Sequence, residues 1–63
     1  MAYLVVDKDE TECITTHTPI RMRKFGKWGV AREFGSNFVE LPPGFIKKLI
    51  GRELTWDDEP VKI

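Results

Sequence analysis

The segment "AYLVVD", residues 2–7, decides the fold because it predicts a strand that is buried on both sides. Successive side chains of a strand point to opposite faces of the sheet. Here Tyr3 and Val5 share one face while Leu4 and Val6 share the other, so both faces are apolar. Strands of this kind lie inside a sheet and are covered above and below. We therefore expect a central strand.

The following segments predict a mostly antiparallel sheet. Turn-forming residues in "DKDET" separate the first strand from the β-branched "ECITTHT", so residues 2–18 predict a hairpin with Asp9 in its turn. The segment "FGK" predicts a break, after which "WGVAREF", residues 28–34, predicts another strand. A turn is expected at "GSN", residues 35–37, and further strands at "FVEL" and "VKI".

The strand after Pro19 shows the alternation of a sheet with one wet face. Ile20 and Met22 share one side, and Arg21 and Arg23 share the other. We expect Ile20 and Met22 to face the core and the two arginines to face solvent.

The segment "LPPGFIKKLIG", residues 41–51, changes to helical spacing and predicts a helix over 43–50. Proline is tolerated in a first helical turn, and Gly51 stands where a C-cap glycine belongs. We expect Leu49 to be buried, with Lys47 and Lys48 outward. The apolar stripe consists of Phe45, Ile46, Leu49 and Ile50.

These elements predict one small α+β domain over residues 1–63. A mostly antiparallel sheet of four to five strands carries the short helix on one face. A chain of 63 residues has room for one small core, because so short a chain buries only about 60% of the surface that its unfolded form exposes. Its hydrophobic content of 41% predicts a folded chain.

The composition also predicts a cytoplasmic protein that does not contact a membrane. No apolar run approaches the length needed to cross a bilayer, and the N-terminus lacks the layout of a signal peptide. A single cysteine, Cys13, cannot form an intramolecular disulfide, which fits a reducing compartment. Monomer and dimer are both compatible with the sequence.

Few residues are suited to catalysis or metal binding. Cys13 and His17 are the only residues of their types. In one strand they would lie about 13 Å apart, at roughly 3.3 Å per residue, too far for a nucleophile and its base. Asp57, Asp58 and Glu59 lack the spacing of a calcium loop, and a solvated acidic turn explains them better. We expect no enzyme activity, no metal and no cofactor.

Two segments resemble small uncharacterised proteins of bacteriophages and prophages. They are "YLVVDKD", residues 3–9, and "IKKLIGRELTWDDEPVKI", within residues 41–63. The resemblance implies an accessory phage protein in a bacterial cytoplasm. It leaves out the basic middle of the chain, and it carries over no functional residues because the group has no established activity.

Charge is segregated along a chain whose ten basic and ten acidic residues cancel. Acidic residues cluster at 7–12 and 57–59, whereas "RMRKFGKWGVAREF", residues 21–34, holds five basic and three aromatic residues. Cations beside exposed rings are typical of single-strand binders, and they also occur on solvated β-hairpins. The candidate binding surface consists of Arg21, Arg23, Lys24, Lys27, Trp28 and Arg32.

Two functions are compatible with this pattern. The leading prediction is a non-enzymatic module that binds a protein through charge complementarity or strand addition. The alternative is binding of single-stranded nucleic acid, which the zero net charge disfavours. Trp28 is either a core ring or an exposed stacking ring, and the tendency of large aromatics to bury most of their area favours the core. Trp56 is also expected in the core.

Overall fold

The computed structural model describes residues 1–35 and 37–63. In these residues, six strands in two antiparallel sheets accompany one short α-helix, which confirms the α+β class. The elements are β1 (Tyr3–Val6), β2 (Glu12–Thr15), β3 (Ile20–Met22), β4 (Lys27–Gly29), β5 (Val39–Leu41), α1 (Phe45–Ile50) and β6 (Val61–Lys62). The larger sheet has the strand order β5-β2-β1-β6, and β3 pairs with β4 as a separate hairpin.

Strand β1 is central, as predicted, and both of its faces are covered. Leu4 and Val6 pack on one face in a cluster with Ile46 of α1. Val5 packs on the other face in a cluster with Trp28 of β4. The four-stranded sheet therefore lies between the helix and the β3–β4 hairpin. The apolar residues on both sides of β1 account for this three-layer arrangement.

Strands β1 and β2 form the predicted hairpin, with Val6 opposite Glu12 at its closed end. The Asp7 N–H donates to the Thr11 carbonyl oxygen at 2.9 Å, and the Thr11 N–H donates to Asp9 Oδ1 at 3.0 Å. An Asp side chain that accepts from the backbone two residues later stabilises a turn. Asp9 is therefore the turn residue, as predicted.

The β3–β4 hairpin buries the face opposite to the one that was predicted. Ile20 is 51% exposed and Met22 is also exposed, while Arg21 faces inward. Arg21 lies opposite Trp28 in the register, and directly opposed residues lie on the same face of the ladder. Because the large indole of Trp28 enters the core, Arg21 faces inward with it. The prediction that Ile20 and Met22 face the core was therefore wrong.

Strand β4 is shorter than predicted, because it ends at Gly29 and is followed by the 3-10 helix Arg32–Phe34. Gly29 pairs with Ile20, so the next pair of the ladder would involve Pro19. Proline has no N–H to donate, and the ladder stops there. The predicted strand over 28–34 was wrong beyond Gly29. The turn predicted at 35–37 includes Ser36, which lies outside the described residues.

Helix α1 begins at Phe45, slightly later than the predicted start at Pro43, and ends at Ile50 as predicted. Gly51 follows in the left-handed conformation with φ of 79°, and its N–H donates to the Lys47 carbonyl oxygen at 2.9 Å. Glycine adopts this conformation without strain, so Gly51 ends the helix as expected. Within the described residues, no helix is long and apolar enough to cross a membrane.

The helix buries a different side from the one predicted. Ile46 is 1% exposed and packs in a cluster with Leu4, whereas Leu49 is 49% exposed. Ile50, one helical turn beyond Ile46, packs against the same cluster. A helix of six residues presents only this narrow stripe to the sheet. The prediction that Leu49 is buried was wrong, while the outward position of the two lysines of the helix was predicted correctly.

A carboxylate from β2 holds the N-terminus of α1. The Gly44 N–H donates to Glu12 Oε2 at 2.6 Å, and the Ile46 N–H donates to Glu12 Oε1 at 2.9 Å. The first turn of a helix leaves such N–H groups without partners inside the helix. The carboxylate also lies at the positive end of the helix dipole. Glu12 therefore joins the helix to the sheet.

Replacing Glu12 with alanine is expected to lower the free energy of unfolding by about 1 to 3 kcal/mol, because two charge-assisted hydrogen bonds are lost together. Glu10→Ala removes the same charge from an exposed position of the neighbouring turn, and its effect should stay within about 0.5 kcal/mol. Urea denaturation measures both values. Equal losses in the two variants would contradict a specific role for Glu12.

Candidate functional site

Trp28 is part of the core and is not an exposed stacking ring. It is 7% exposed, and its indole Nε1–H donates to the Val6 carbonyl oxygen at 2.9 Å. Its backbone N–H donates to Asp7 Oδ1 at 3.0 Å. These bonds fasten β4 to the end of β1. The core interpretation of Trp28 is confirmed, and its ring is not available to stack on a ligand.

Arg21 is likewise committed to the interior of the protein. Its guanidinium carbon lies 4.7 Å from the ring centre of Trp28 and 5.4 Å from that of Trp56. Its Nη2 donates to the Asp58 carbonyl oxygen at 2.8 Å and lies 3.5 Å from a carboxylate oxygen of Glu59. The side chain therefore joins the hairpin to the C-terminal loop. These contacts leave little of the Arg21 guanidinium accessible to an external partner.

Three of the predicted surface residues remain together on the turn that joins β3 to β4. Arg23, Lys24 and Lys27 are exposed, and Phe25 among them is 66% exposed. The Lys24 Nζ lies 5.9 Å from the centre of the Phe25 ring. We call residues 23–27 the basic turn. It presents three cations and one aromatic ring to solvent.

Arg32 is exposed but lies apart from the basic turn, on the 3-10 helix. It borders a shallow groove of about 340 Å³ that Met22, Gly29 and Phe38 also line. This volume is at the lower end of the about 300 to 1,000 Å³ that ligand clefts span. Arg32 is the only charged residue among the described residues that line it.

A much larger groove, of about 1060 Å³, opens between the β1–β2 turn, the start of α1 and the loop 53–57. Seven acidic residues and two lysines line it, although the whole chain is neutral. We call it the acidic groove. The acidic residues are Asp7, Asp9, Glu10, Glu12, Glu40, Glu53 and Asp57, and the lysines are Lys8 and Lys47.

The buried residues that line the acidic groove are all apolar. Among its lining residues, Val6, Ile46 and Leu54 are buried, and Leu41 and Trp56 are half-buried. The acidic residues that line the groove lie on the β1–β2 turn, on β2, on β5 and on the loop 53–57. The groove therefore combines an apolar floor with a negatively charged rim.

The carboxylates of the rim differ in what they bind. Asp7, Asp9 and Glu12 accept hydrogen bonds from backbone N–H groups of the protein itself. Hydrogen bonds from the side chain and backbone of Thr11 lower the pKa of the Asp9 carboxyl and so favour its charged form. The remaining carboxylates stand on exposed residues and are available to an external cation; these residues are Glu10, Glu40, Glu53 and Asp57.

The sequence predicted only part of this groove. The acidic segment 7–12 and Asp57 were recognised as clusters of negative charge. Glu40 and Glu53 lie in segments of ordinary composition, and only the packing of β5 and the 53–57 loop beside the β1–β2 turn brings them to the same groove. The missing signal was spatial, because no local pattern links residues so far apart in the chain.

Cys13 and His17 have separate partners in the structure. Cys13 is buried in the cluster that contains Trp28, and burial raises the pKa of its thiol to about 11, with a further contribution from Asp7. The His17 ring stacks on Phe34 with their centres 4.2 Å apart. At neutral pH the thiol is therefore uncharged and held in the core.

Two of the three carboxylates of the acidic C-terminal turn have partners within the protein. Asp58 Oδ2 accepts hydrogen bonds from the Thr55 N–H at 2.8 Å and from the Thr55 hydroxyl at 3.2 Å. Glu59 pairs with Arg21. Across residues 1–35 and 37–63, no group of three or more His, Cys, Asp or Glu side chains is arranged to hold a metal ion.

Comparisons with known proteins found no family model, no curated protein and no solved structure that matches this chain. The function must therefore be inferred from the acidic groove, the basic turn and the chemistry of their side chains.

Proposed function

We propose that this protein is a non-enzymatic protein-binding module whose acidic groove holds a basic segment of a partner. The observation that carries the proposal is the concentration of seven acidic residues, against two lysines, along one groove in a chain with no net charge. Complementary charge speeds association and excludes partners of the wrong sign. A polyanion such as a nucleic acid would be repelled from this groove.

The floor of the groove narrows the choice of ligand further. The half-buried Leu41 and Trp56, beside the buried apolar lining residues, offer apolar contact within the groove. A ligand that suits both features carries lysine or arginine side chains together with at least one apolar side chain that reaches the floor. A groove of about 1060 Å³ lies at the upper end of the about 300 to 1,000 Å³ that ligand clefts span, and it has room for several residues of a peptide.

The state of Cys13 supports a non-enzymatic role. An effective cysteine nucleophile is ionised near neutral pH and lies next to a base. Burial instead keeps the Cys13 thiol protonated, and the His17 ring is stacked on Phe34. The resemblance to small phage proteins fits this proposal, because it implies an accessory protein that works in a bacterial cytoplasm.

A peptide that alternates lysine and leucine is expected to bind in the groove. It should shift the amide resonances of Glu53 and Thr55 and the indole N–H resonance of Trp56 in an NMR titration. Glu53→Lys should weaken this binding about three- to tenfold, since exposed charge pairs contribute about 0.2 to 1 kcal/mol each and the reversal turns attraction into repulsion. Added salt should weaken it as well.

The matched control is Glu33→Lys, which makes the same change of charge on the exposed 3-10 helix, outside the groove. This variant should bind the peptide with nearly the affinity of the unchanged protein. A peptide in which glutamate replaces lysine should not bind. Equal weakening by Glu53→Lys and Glu33→Lys would mean that only the net charge matters, and it would contradict a site in the groove.

The second candidate function is binding of single-stranded nucleic acid by the basic turn. One observation favours it: the Phe25 ring is exposed between Arg23, Lys24 and Lys27 and can stack on a base. A single-stranded oligonucleotide would then shift the amide resonances of the basic turn, with an affinity that falls steeply as salt rises. The same NMR titration, run with both ligands, distinguishes the two functions by the residues that respond.

A further inference from the structure

The basic turn has the chemistry that the acidic groove is expected to bind. It carries one exposed aromatic ring, Phe25, among the exposed cations Arg23, Lys24 and Lys27. The groove carries an apolar floor inside a rim of carboxylates. Aromatic residues that insert into apolar pockets are common anchors of protein interfaces. The Phe25 ring can pack on the apolar residues of the groove, and the cations of the turn can pair with its carboxylates.

The basic turn also lies beside the groove in the same molecule. The Lys8 N–H donates to the Gly26 carbonyl oxygen at 2.9 Å, and Lys8 itself lines the groove. The basic turn does not fill the groove of its own chain, since the Phe25 ring remains 66% exposed. Among the residues that the structure describes, the only ion pair joins Arg21 to Glu59, so the three cations of the turn have no such partner.

Adjacent patches of opposite charge are suited to a two-fold dimer. In a two-fold interface the same surface is used by both molecules, so each contact occurs twice. If the basic turn of each copy lies in the groove of the other copy, both charge contacts form at once. The association closes with two copies and does not continue into a filament.

We propose that the acidic groove receives the basic turn of a second copy of this chain, which forms a two-fold dimer with Phe25 on the groove floor. This proposal rests on the proposed function, because it names a partner for the same groove. The contact is small and its rim is exposed to solvent, so the dimer is weak and depends on concentration and on salt.

Sedimentation equilibrium tests the dimer on the full chain, at protein concentrations up to about 1 mM in low salt and again in high salt. The mass is expected to rise toward that of two chains in low salt and to return to that of one chain in high salt. Lys24→Glu and Glu53→Lys should each weaken the dimer more than about tenfold, since the reversed charge occurs twice in the interface. Thermal unfolding confirms that both variants are folded.

Mixing the two variants provides the sharpest test. In a two-fold dimer of Lys24→Glu with Glu53→Lys, the new glutamate of one chain faces the new lysine of the other. The unchanged Lys24 and Glu53 face each other across the second contact. The mixture should therefore form dimers although neither variant does so alone. Lys48→Glu, on the exposed side of α1 and outside the groove, is the matched control and should dimerise normally.

Three outcomes would overturn the proposal. One is an unchanged protein that stays monomeric at the highest concentration in low salt. Another is a dimer that Lys24→Glu, Glu53→Lys and Lys48→Glu affect equally. The third is a monomer whose basic turn binds single-stranded oligonucleotide, which would assign the turn to nucleic acid. If the lysine and leucine peptide still binds the monomer in the groove, the proposed function stands and only the dimer fails.

Discussion

Replacing Trp28 with alanine is expected to lower the free energy of unfolding by about 3 to 5 kcal/mol, which is close to the whole stability of a domain this small. The side chain is 7% exposed and packs with Val5 on the hairpin side of the sheet. Its loss also removes the Nε1–H bond to Val6 and the indole that lies against the Arg21 guanidinium. The β3–β4 hairpin would lose its main attachment to the sheet.

Two further variants separate the contributions of Trp28. Trp28→Phe keeps an aromatic ring but leaves the Val6 carbonyl oxygen without the indole donor, and it should cost about 1 to 3 kcal/mol. Phe25→Ala removes an exposed ring from the same hairpin and should stay within about 0.5 kcal/mol. Urea denaturation followed by circular dichroism measures all three. A loss for Phe25→Ala as large as that for Trp28→Ala would contradict the assigned core.

Replacing Ile46 with alanine is expected to lower the free energy of unfolding by about 2 to 5 kcal/mol, because a fully buried side chain leaves a cavity between α1 and the sheet. Ile46 is 1% exposed and packs in a cluster with Leu4 and Leu54. Its backbone bond to Glu12 survives the substitution, so the loss reports on side-chain packing alone. The protein would be mostly unfolded near its normal thermal midpoint.

Leu49→Ala is the matched control in the same helix. Leu49 is 49% exposed, and alanine favours helix formation, so the effect should be below about 1 kcal/mol. The two variants differ only in which side of α1 loses a large aliphatic group. A shift of the thermal midpoint that is larger for Leu49→Ala than for Ile46→Ala would show that the other side of the helix is buried.

The face of β3 was misassigned for a physical reason. Alternation along β3 separates Ile20 and Met22 from Arg21, but it does not say which set is inside. That choice depends on the partner strand, where Trp28 has more apolar surface to bury than any residue on the opposite face of the hairpin. An arginine can follow it inward because its guanidinium packs on aromatic faces and its Nη2 reaches the Asp58 carbonyl oxygen.

The candidate site likewise contains some features that the sequence predicted and others that only the fold brings together. Charge segregation along the chain predicted a basic surface at 21–34 and acidic segments at 7–12 and 57–59. Of the predicted surface, Arg23, Lys24 and Lys27 remain together, while Trp28 lies in the core. The acidic groove needs residues from distant segments and could not be predicted from the local composition.

Outside residues 30–34, the sequence alone determined which segments form strands and which forms the α-helix, together with their order and approximate ends. These features depend on alternation, on helical spacing and on proline and glycine, and all of these act over a few neighbouring residues. Only the tertiary structure decided that Arg21 faces inward, that Ile46 and not Leu49 is buried, and that Glu40 and Glu53 line one groove with the β1–β2 turn. Burial is settled by the size and pairing of groups that are distant in the chain, because each element can cover only the surface that its neighbours leave open.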